Sequence, residues 1–522
     1  MIFQSVKNRQ SIFIAAVFLL TRVPLLGWDI VNVDAPAWNY RATQFYAYLK
    51  NFNFAETYRS YHPGVTLMWL SGFGIELFNQ IYKFFNGVRA PYYNYNTFPW
   101  LHFSQKLPLV FASLLLLLSI YKLLKNLVDA RFSFIFVLFL ILEPFFVANT
   151  RVLHLDALMT LFMLVSVLFI LNYFLAAKPR RFLVWAGICA SFAVLTKVSA
   201  FIILPFDMLL MFSFRFFKPK KIISAVKPFV YDLTILLVAF LTAFIIFFPA
   251  MWVDPFNTVH KIIFDGIIGT GGAGHGQTFL GKGTQNPGLW FYIYTLGFRV
   301  SPLLLLTFIL SIFTFIQRVV KSPRKIGRED IVVFVFLILG LLYLAQMVIS
   351  TKKVDRYIVL LIPIMTFVGL WAVKDIIKKV SLKIIAVVLI LQLIVLSVPL
   401  YPDYFNYANP LLGGLRVFLK VFGPMDWGAG YYRVARFLNN RAETTSDSWL
   451  AAFNDQSIDP YFKGRVEQID RADFSKMQYV ILPPGDSYQS GVLNYGFAQI
   501  YSVKYGDVDY WYIYENNNQI KY

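Results

Sequence analysis

Residues 151–181 read RVLHLDALMTLFMLVSVLFILNYFLAAKPRR, and this stretch decides the fold. No charged side chain stands between Asp156 and Lys178. An apolar helix of about 20 residues covers the roughly 30 Å of hydrocarbon in a bilayer. The two ends differ: Arg151, His154 and Asp156 precede the run, and Lys178, Arg180 and Arg181 follow it. Working outward, the pattern repeats. Spans start near Ser11, Ser104, Arg131, Asp156, Phe182, Val198, Tyr231, Val300, Ile331, Tyr357 and Lys383, about eleven in all. With Lys7 and Arg9 placed in the cytoplasm, every alternate loop is basic. These loops carry Lys122 and Lys125, Lys178 to Arg181, Arg215 to Lys221, Arg318 to Arg328, and Lys374 to Lys379. That is the positive-inside pattern, and an odd number of spans leaves the carboxyl terminus outside.

Composition agrees. The 522 residues are 58% hydrophobic and only 15% charged, with a mean hydropathy of +0.59. A soluble domain carries about 25% charged residues, so a single soluble core is excluded. The net charge of +20 sits in short loops between apolar runs, which fits membrane topology and not nucleic acid. The one cysteine, Cys189, lies in an apolar run, so there is no intrachain disulfide and no cysteine metal site. Arg22, Pro24 and Trp28 follow the first apolar stretch where a cleavage site would need small residues, so that stretch reads as a retained anchor.

Two outer loops are long. Residues 28–103 are rich in aromatics and hold helix-like stretches at Ala37–Leu49 and Val65–Phe85, suited to the membrane interface. Residues 252–289 are dense in glycine, from Gly269 to Gly283. From Tyr401 the composition becomes that of a soluble module. Trp449–Phe453, Tyr479–Leu482 and Phe497–Tyr514 read as strands and Gly430–Asn440 as a helix. The fold expected is a polytopic α-helical membrane protein, residues 1–400, with a small extracytoplasmic α/β domain, residues 401–522.

All five histidines fall in outer loops or at their edges, so the chemistry faces outward. Asp34, just after the first span, reads either as a helix N-cap or as a general base for an acceptor hydroxyl. His62-Pro63-Gly64 reads as a turn or as a phosphate contact at a helix start. Arg151 either neutralises Asp156 or shares a functional site with it.

The ordered motifs resemble the membrane glycosyltransferases of the GT-C type, in the group of protein O-mannosyltransferases and lipid A aminoarabinose transferases. Asp34 stands at that group's first-loop acidic motif, with Ala35 where a second carboxylate is common. Tyr61-His62-Pro63-Gly64, Gln105-Lys106-Leu107-Pro108, Arg151 to Met163, Leu195-Thr196-Lys197 and Lys352 to Tyr357 resemble its further motifs. So does Tyr401 to Gly414, and then Asp426-Trp427-Gly428. The resemblance implies an inverting transfer of a sugar from a polyprenyl-phosphate donor to a lipid, glycan or protein acceptor. It implies Asp34 as base with Asp156 beside it, and His62, Lys106, Lys282, Lys352, Arg356 and Tyr357 at the donor phosphate. Arg151, His154 and His275 would support them. A divalent metal stays open, with Asp34, Asp156 and His275 as its candidate ligands. The active site would face outward from an inner membrane. A lipid-linked-sugar transporter and a non-catalytic membrane binding protein are the rival readings, and neither half of the chain repeats the other, as many transporters would. A reporter fused after Tyr522 should be active only outside the cytoplasm; cytoplasmic activity would overturn the topology.

Overall fold

The computed structural model describes residues 9–217, 222–269, 274, 276–321, 327–424 and 427–517. A helix stands at each of the eleven expected places. Among the described residues, six are long and apolar enough to cross a membrane: Phe98–Leu124, Asp156–Leu175, Val198–Phe216, Ile223–Phe247, Arg328–Ile349 and Leu382–Leu400. Of the rest, Arg9–Arg22, Ala130–Leu142, Arg181–Thr196 and Leu361–Ala372 are shorter than about 17 residues, the lower end of what spans hydrocarbon. Local chemistry explains one such end. The helix Ala130–Leu142 starts with Asp129 accepting a hydrogen bond from the Phe132 amide at 2.8 Å. It stops at Glu143 because that residue precedes Pro144 and turns extended. The helix Asp156–Leu175 is the most buried of the six spans, and it packs against Arg181–Thr196 and Phe98–Leu124.

The first outer loop contains the helices Ala35–Lys50 and Val65–Asn86. The second starts at Gly64, whose φ of +60° suits glycine. A Cβ there would sit 2.3 Å from the Trp38 ring. The glycine-rich loop holds a helix at Pro255–Lys261, a π-helical turn at Ile262–Gly269 and a hairpin of β1 (Gln277–Phe279) with β2 (Lys282–Thr284).

The outer module is a five-stranded mixed sheet. Its strands are β3 (Trp449–Ala452), β4 (Arg465–Gln468), β5 (Tyr479–Leu482), β6 (Phe497–Tyr505) and β7 (Val508–Asn516). They lie in the order β4-β3-β5-β7-β6, with β4, β3 and β5 parallel. The single strand expected over Phe497–Tyr514 is a hairpin turning at Gly506, whose φ is +63°. Strand β4 carries no apolar alternation and escaped the sequence reading.

Residues 401–430 bind this module to the membrane helices. The carboxylate of Asp403, 1% exposed, accepts from Arg433 Nε at 3.0 Å and from the Tyr505 hydroxyl at 2.6 Å. Asn409 donates its amide to the Phe298 carbonyl at 2.7 Å. From the sheet side, the Tyr461 hydroxyl lies 2.8 Å from the Gly27 carbonyl and 2.9 Å from that of Asp29. Asp403→Ala leaves Arg433 and the buried Tyr505 hydroxyl without their shared partner, so the module should be held less firmly. Hydrogen exchange should then rise across residues 431–516 while the spans stay protected; unchanged protection would show that Asp403 does not hold the module.

Candidate active site

Two charge clusters lie where the first outer loop meets the spans. The first is closed. Asp29, 2% exposed, takes Lys106 Nζ at 2.6 Å on one oxygen and Arg151 at 3.0 Å on the other. Arg151 also donates to the carbonyls of Pro24 and Leu25. His102 and Gln105 extend the network to Asn39. Lys106 is fully buried and its ammonium is spent on Asp29, so it does not stand where a donor phosphate could reach it. Arg151, expected beside Asp156, is held on Asp29 instead.

The second cluster is open on one side. Asp156, 1% exposed, pairs with Lys197 Nζ at 2.7 Å, while His154 Nδ1 lies 2.8 Å from its other oxygen. Asp34 Oδ2 takes Arg356 at 3.1 Å and lies 3.3 Å from His154 Nε2. Arg356 Nε is 3.6 Å from Asp156, so one guanidinium and one imidazole bridge the two carboxylates. The guanidinium is stacked over Trp427 at 4.4 Å, and Trp427 also meets the His154 ring edge-on. Lys197 Nζ rests 3.9 Å above the Tyr357 ring.

Asp34 precedes the helix Ala35–Lys50 yet makes no capping hydrogen bond; its side chain is turned to Arg356 and His154 and stays 40% exposed. Capping therefore does not explain it. Burial pushes its carboxyl up, but the hydrogen bond with His154 and the charge of Arg356 outweigh that and hold it well below the usual carboxylate range. It is ionised and reachable, as a proton acceptor must be. Burial, helped by the Lys197 charge, holds His62 well below its ordinary value, so its imidazole is neutral.

Two cavities flank the segment Lys352–Tyr357. One, of about 500 Å³, has walls of Val198, Phe201, Ile202, Ile267 and Met347, with Lys197, Lys352, His62 and Tyr357 at its polar end. The other, of about 320 Å³, is lined by Gln277, Arg299, Lys353 to Arg356, Asn406 and Trp427 among others. Lys282 sits exposed on the β1–β2 hairpin and lines neither. His275 and Asp426 lie outside the described residues.

No group of three or more His, Cys, Asp or Glu that could hold a metal ion stands among the described residues, and His275, the third candidate ligand, lies outside them. Sequence reasoning missed Asp29, whose only signal was a second carboxylate five residues before Asp34. It also missed Lys353, Arg299 and Asp355. Arg299 holds Asp355 at 2.9 Å and the carbonyls of Phe405 and Tyr407, which fixes the wall between the cavities.

Residues 101–247 match the family model of dolichyl-phosphate-mannose-protein mannosyltransferase. Among solved structures, the chain is similar to ArnT from Cupriavidus metallidurans bound to undecaprenyl phosphate. The identity is 12% and the TM-score 0.48, covering 96% of this chain and 97% of that one. It is also similar to the Archaeoglobus fulgidus oligosaccharyltransferase, at 11% identity and a TM-score of 0.44, over 91% of this chain and 69% of the other. The S. cerevisiae protein O-mannosyltransferase complex bound to its sugar donor matches over 49% of this chain and 34% of its own, at 15% identity and a TM-score of 0.36. The family model belongs to the group that the motifs resemble. No curated protein matches.

Arg356→Gln removes the cation that keeps Asp34 low, so the Asp34 carboxyl should titrate at a higher pH than in the wild type. The infrared carboxylate band, assigned through Asp34→Asn, reads that midpoint; an unmoved midpoint would show that Arg356 does not govern Asp34.

Proposed function

We propose that this chain is a membrane glycosyltransferase that moves a sugar from a polyprenyl-phosphate donor to an acceptor on the outer side of the membrane. The observation that carries the reading is the open cluster of Asp34, His154, Asp156 and Arg356 beside the wall between two unlike cavities. The larger cavity suits the donor. Its apolar sides match a prenyl chain, and Lys197, Lys352, neutral His62 and the Tyr357 hydroxyl gather where the phosphate would lie. As the bond from the anomeric carbon to the phosphate oxygen breaks, negative charge grows on the leaving phosphate. Cations fixed there stabilise the transition state more than the ground state.

The smaller, polar cavity suits the acceptor. Asp34 takes the proton of the attacking hydroxyl, and the acceptor oxygen then bonds to the anomeric carbon as the phosphate departs. One displacement inverts that carbon. Arg356 touches the base and lines the acceptor cavity, and His154, between the two carboxylates, orients Asp34 from the other side. Asp156 holds Lys197 at the donor end and so links the base to the phosphate site. The family match over residues 101–247 supports the reading, since it spans Asp156 and Lys197.

Asp34→Asn keeps the size and removes proton acceptance. Loss of a general base typically lowers the rate by about 10²–10⁴. The variant should insert and bind undecaprenyl phosphate like the wild type, while transfer from a panel of polyprenyl-phosphate sugars falls by that factor. Transfer at the wild-type rate would remove Asp34 from the chemistry.

A further inference from the structure

The wall between the cavities carries two adjacent lysines that serve opposite sides. The chain there is extended, with Val354 at φ −141° and ψ 142°, so successive side chains point apart. Lys352 lines the donor cavity and Lys353 the polar one. Lys353 has no part in the mechanism above. It is 2% exposed, and its ammonium meets only neutral oxygens, the Ser350 carbonyl at 2.5 Å and Asn286 Oδ1 at 3.3 Å. Lys106, Arg151, Lys197 and Arg299 are as hidden from solvent, Lys106 and Lys197 deeper in the fold, and each of them sits on a carboxylate. Arg22 is buried without one, but it is enclosed by the Ile141 carbonyl and two threonine hydroxyls and lines neither cavity. Lys353 is a buried cation without an anion, at the edge of a cavity. Such a charge is costly unless a partner arrives.

A second observation points the same way. Three N–H groups of residues lining this cavity are shut off from water and lack a partner among the described residues: Asn406 Nδ2, Gln277 Nε2 and Trp427 Nε1. Asn406 is 5% exposed. The one carboxylate of the lining is already engaged, because Asp355 accepts from Arg299 Nε at 2.9 Å and from the Arg356 amide at 2.7 Å. What remains unsatisfied is therefore positive charge and donors. Buried donors left unmet are a standing cost, which a ligand with surplus acceptors removes once these side chains turn toward it.

We infer that the polar cavity is an oxyanion site, and that it holds the acceptor by a carboxylate or phosphate ester carried on a saccharide. The inference rests on the preceding reading, in which this cavity takes the acceptor. A polypeptide brings one N–H for every carbonyl, and among the described residues the lining offers no free carboxylate to receive those donors. A saccharide's ring oxygen and its oxyanion accept without donating, and its hydroxyls can turn toward water.

The full-length protein in nanodiscs should bind tetragalacturonate at least about tenfold more tightly than the same oligosaccharide with its carboxyl groups reduced, the factor one charge-assisted hydrogen bond supplies. A phosphorylated neutral oligosaccharide tells carboxylate from phosphate ester, and preference for either charged form supports the site. Lys353→Met should abolish the preference and Lys353→Arg should keep it. The methionine variant should melt no lower than the wild type without ligand, because it removes an uncompensated charge. Undecaprenyl phosphate binding, measured on the same preparations, reports the donor cavity separately. If it is retained while charged and reduced saccharides bind alike, the oxyanion site is wrong and the transferase reading stands. If it is lost in the wild type, the transferase reading fails. An acidic peptide that binds as tightly as the charged saccharide, and that Lys353→Met weakens equally, would overturn the saccharide.

Discussion

A carboxylate buried at the edge of a membrane domain can stay charged only if cations are buried with it. That constraint organises this protein. Asp29 and Asp156, both almost fully buried, each carry two basic partners. The Asp29 cluster is complete, with both oxygens paired and no path to solvent, and it ties the end of the first helix to residues 102–106 and 151. The Asp156 cluster is the same device left unfinished. Its second oxygen meets His154 and the flank of Arg356, and those two groups reach on to the half-exposed Asp34. One cluster fixes the floor of the site and the other brings charge to its mouth.

Much of the membrane architecture was legible because hydrophobic thickness is a one-dimensional constraint. The run after Asp156 and the basic loops gave helix positions that the structure repeats. The loop helices at Ala35–Lys50 and Val65–Asn86 were legible as well, the second even in its glycine turn at Gly64. The hairpin at Gly506 was not, since a tight turn between two aromatic strands leaves an unbroken β pattern. Charge pairing was not legible either. Asp34 and Arg356 are 322 residues apart, and Arg151 and Asp29 are 122 apart. Nothing in spacing told that Arg151 would leave its neighbour Asp156 for Asp29, or that Lys197 would take its place. Lys106 shows the same limit: the motif placed a cation at the start of a span, and only the fold shows it spent on a carboxylate.

The segment Lys352–Tyr357 makes two environments out of one loop. Arg299 grips Asp355 and the carbonyls of Phe405 and Tyr407, so the segment is braced from the side that carries the outer module. The base of that module is braced in turn by Asp403 on Arg433 and Tyr505. Rigidity matters here because a single displacement needs attacking and leaving oxygens on opposite faces of one carbon.

The same wall explains why the site needs so many cations for so few carboxylates. The proposed donor arrives with one negative charge and leaves with more. The Asp29 cluster holds one surplus positive charge, but it is closed and could not respond to that change. At the open cluster, Lys197 is shared between Asp156 and the Tyr357 face, Arg356 is shared between Asp34 and Asp156, and Lys352 has no carboxylate among the described residues. In the proposed transfer, positive charge shared among these groups can be drawn toward a phosphate as charge develops there, with no reorganisation of the backbone. In the proposed transfer, Asp156 matters less as an acid or base than as the buried anion that holds Lys197 and Arg356 beside the site.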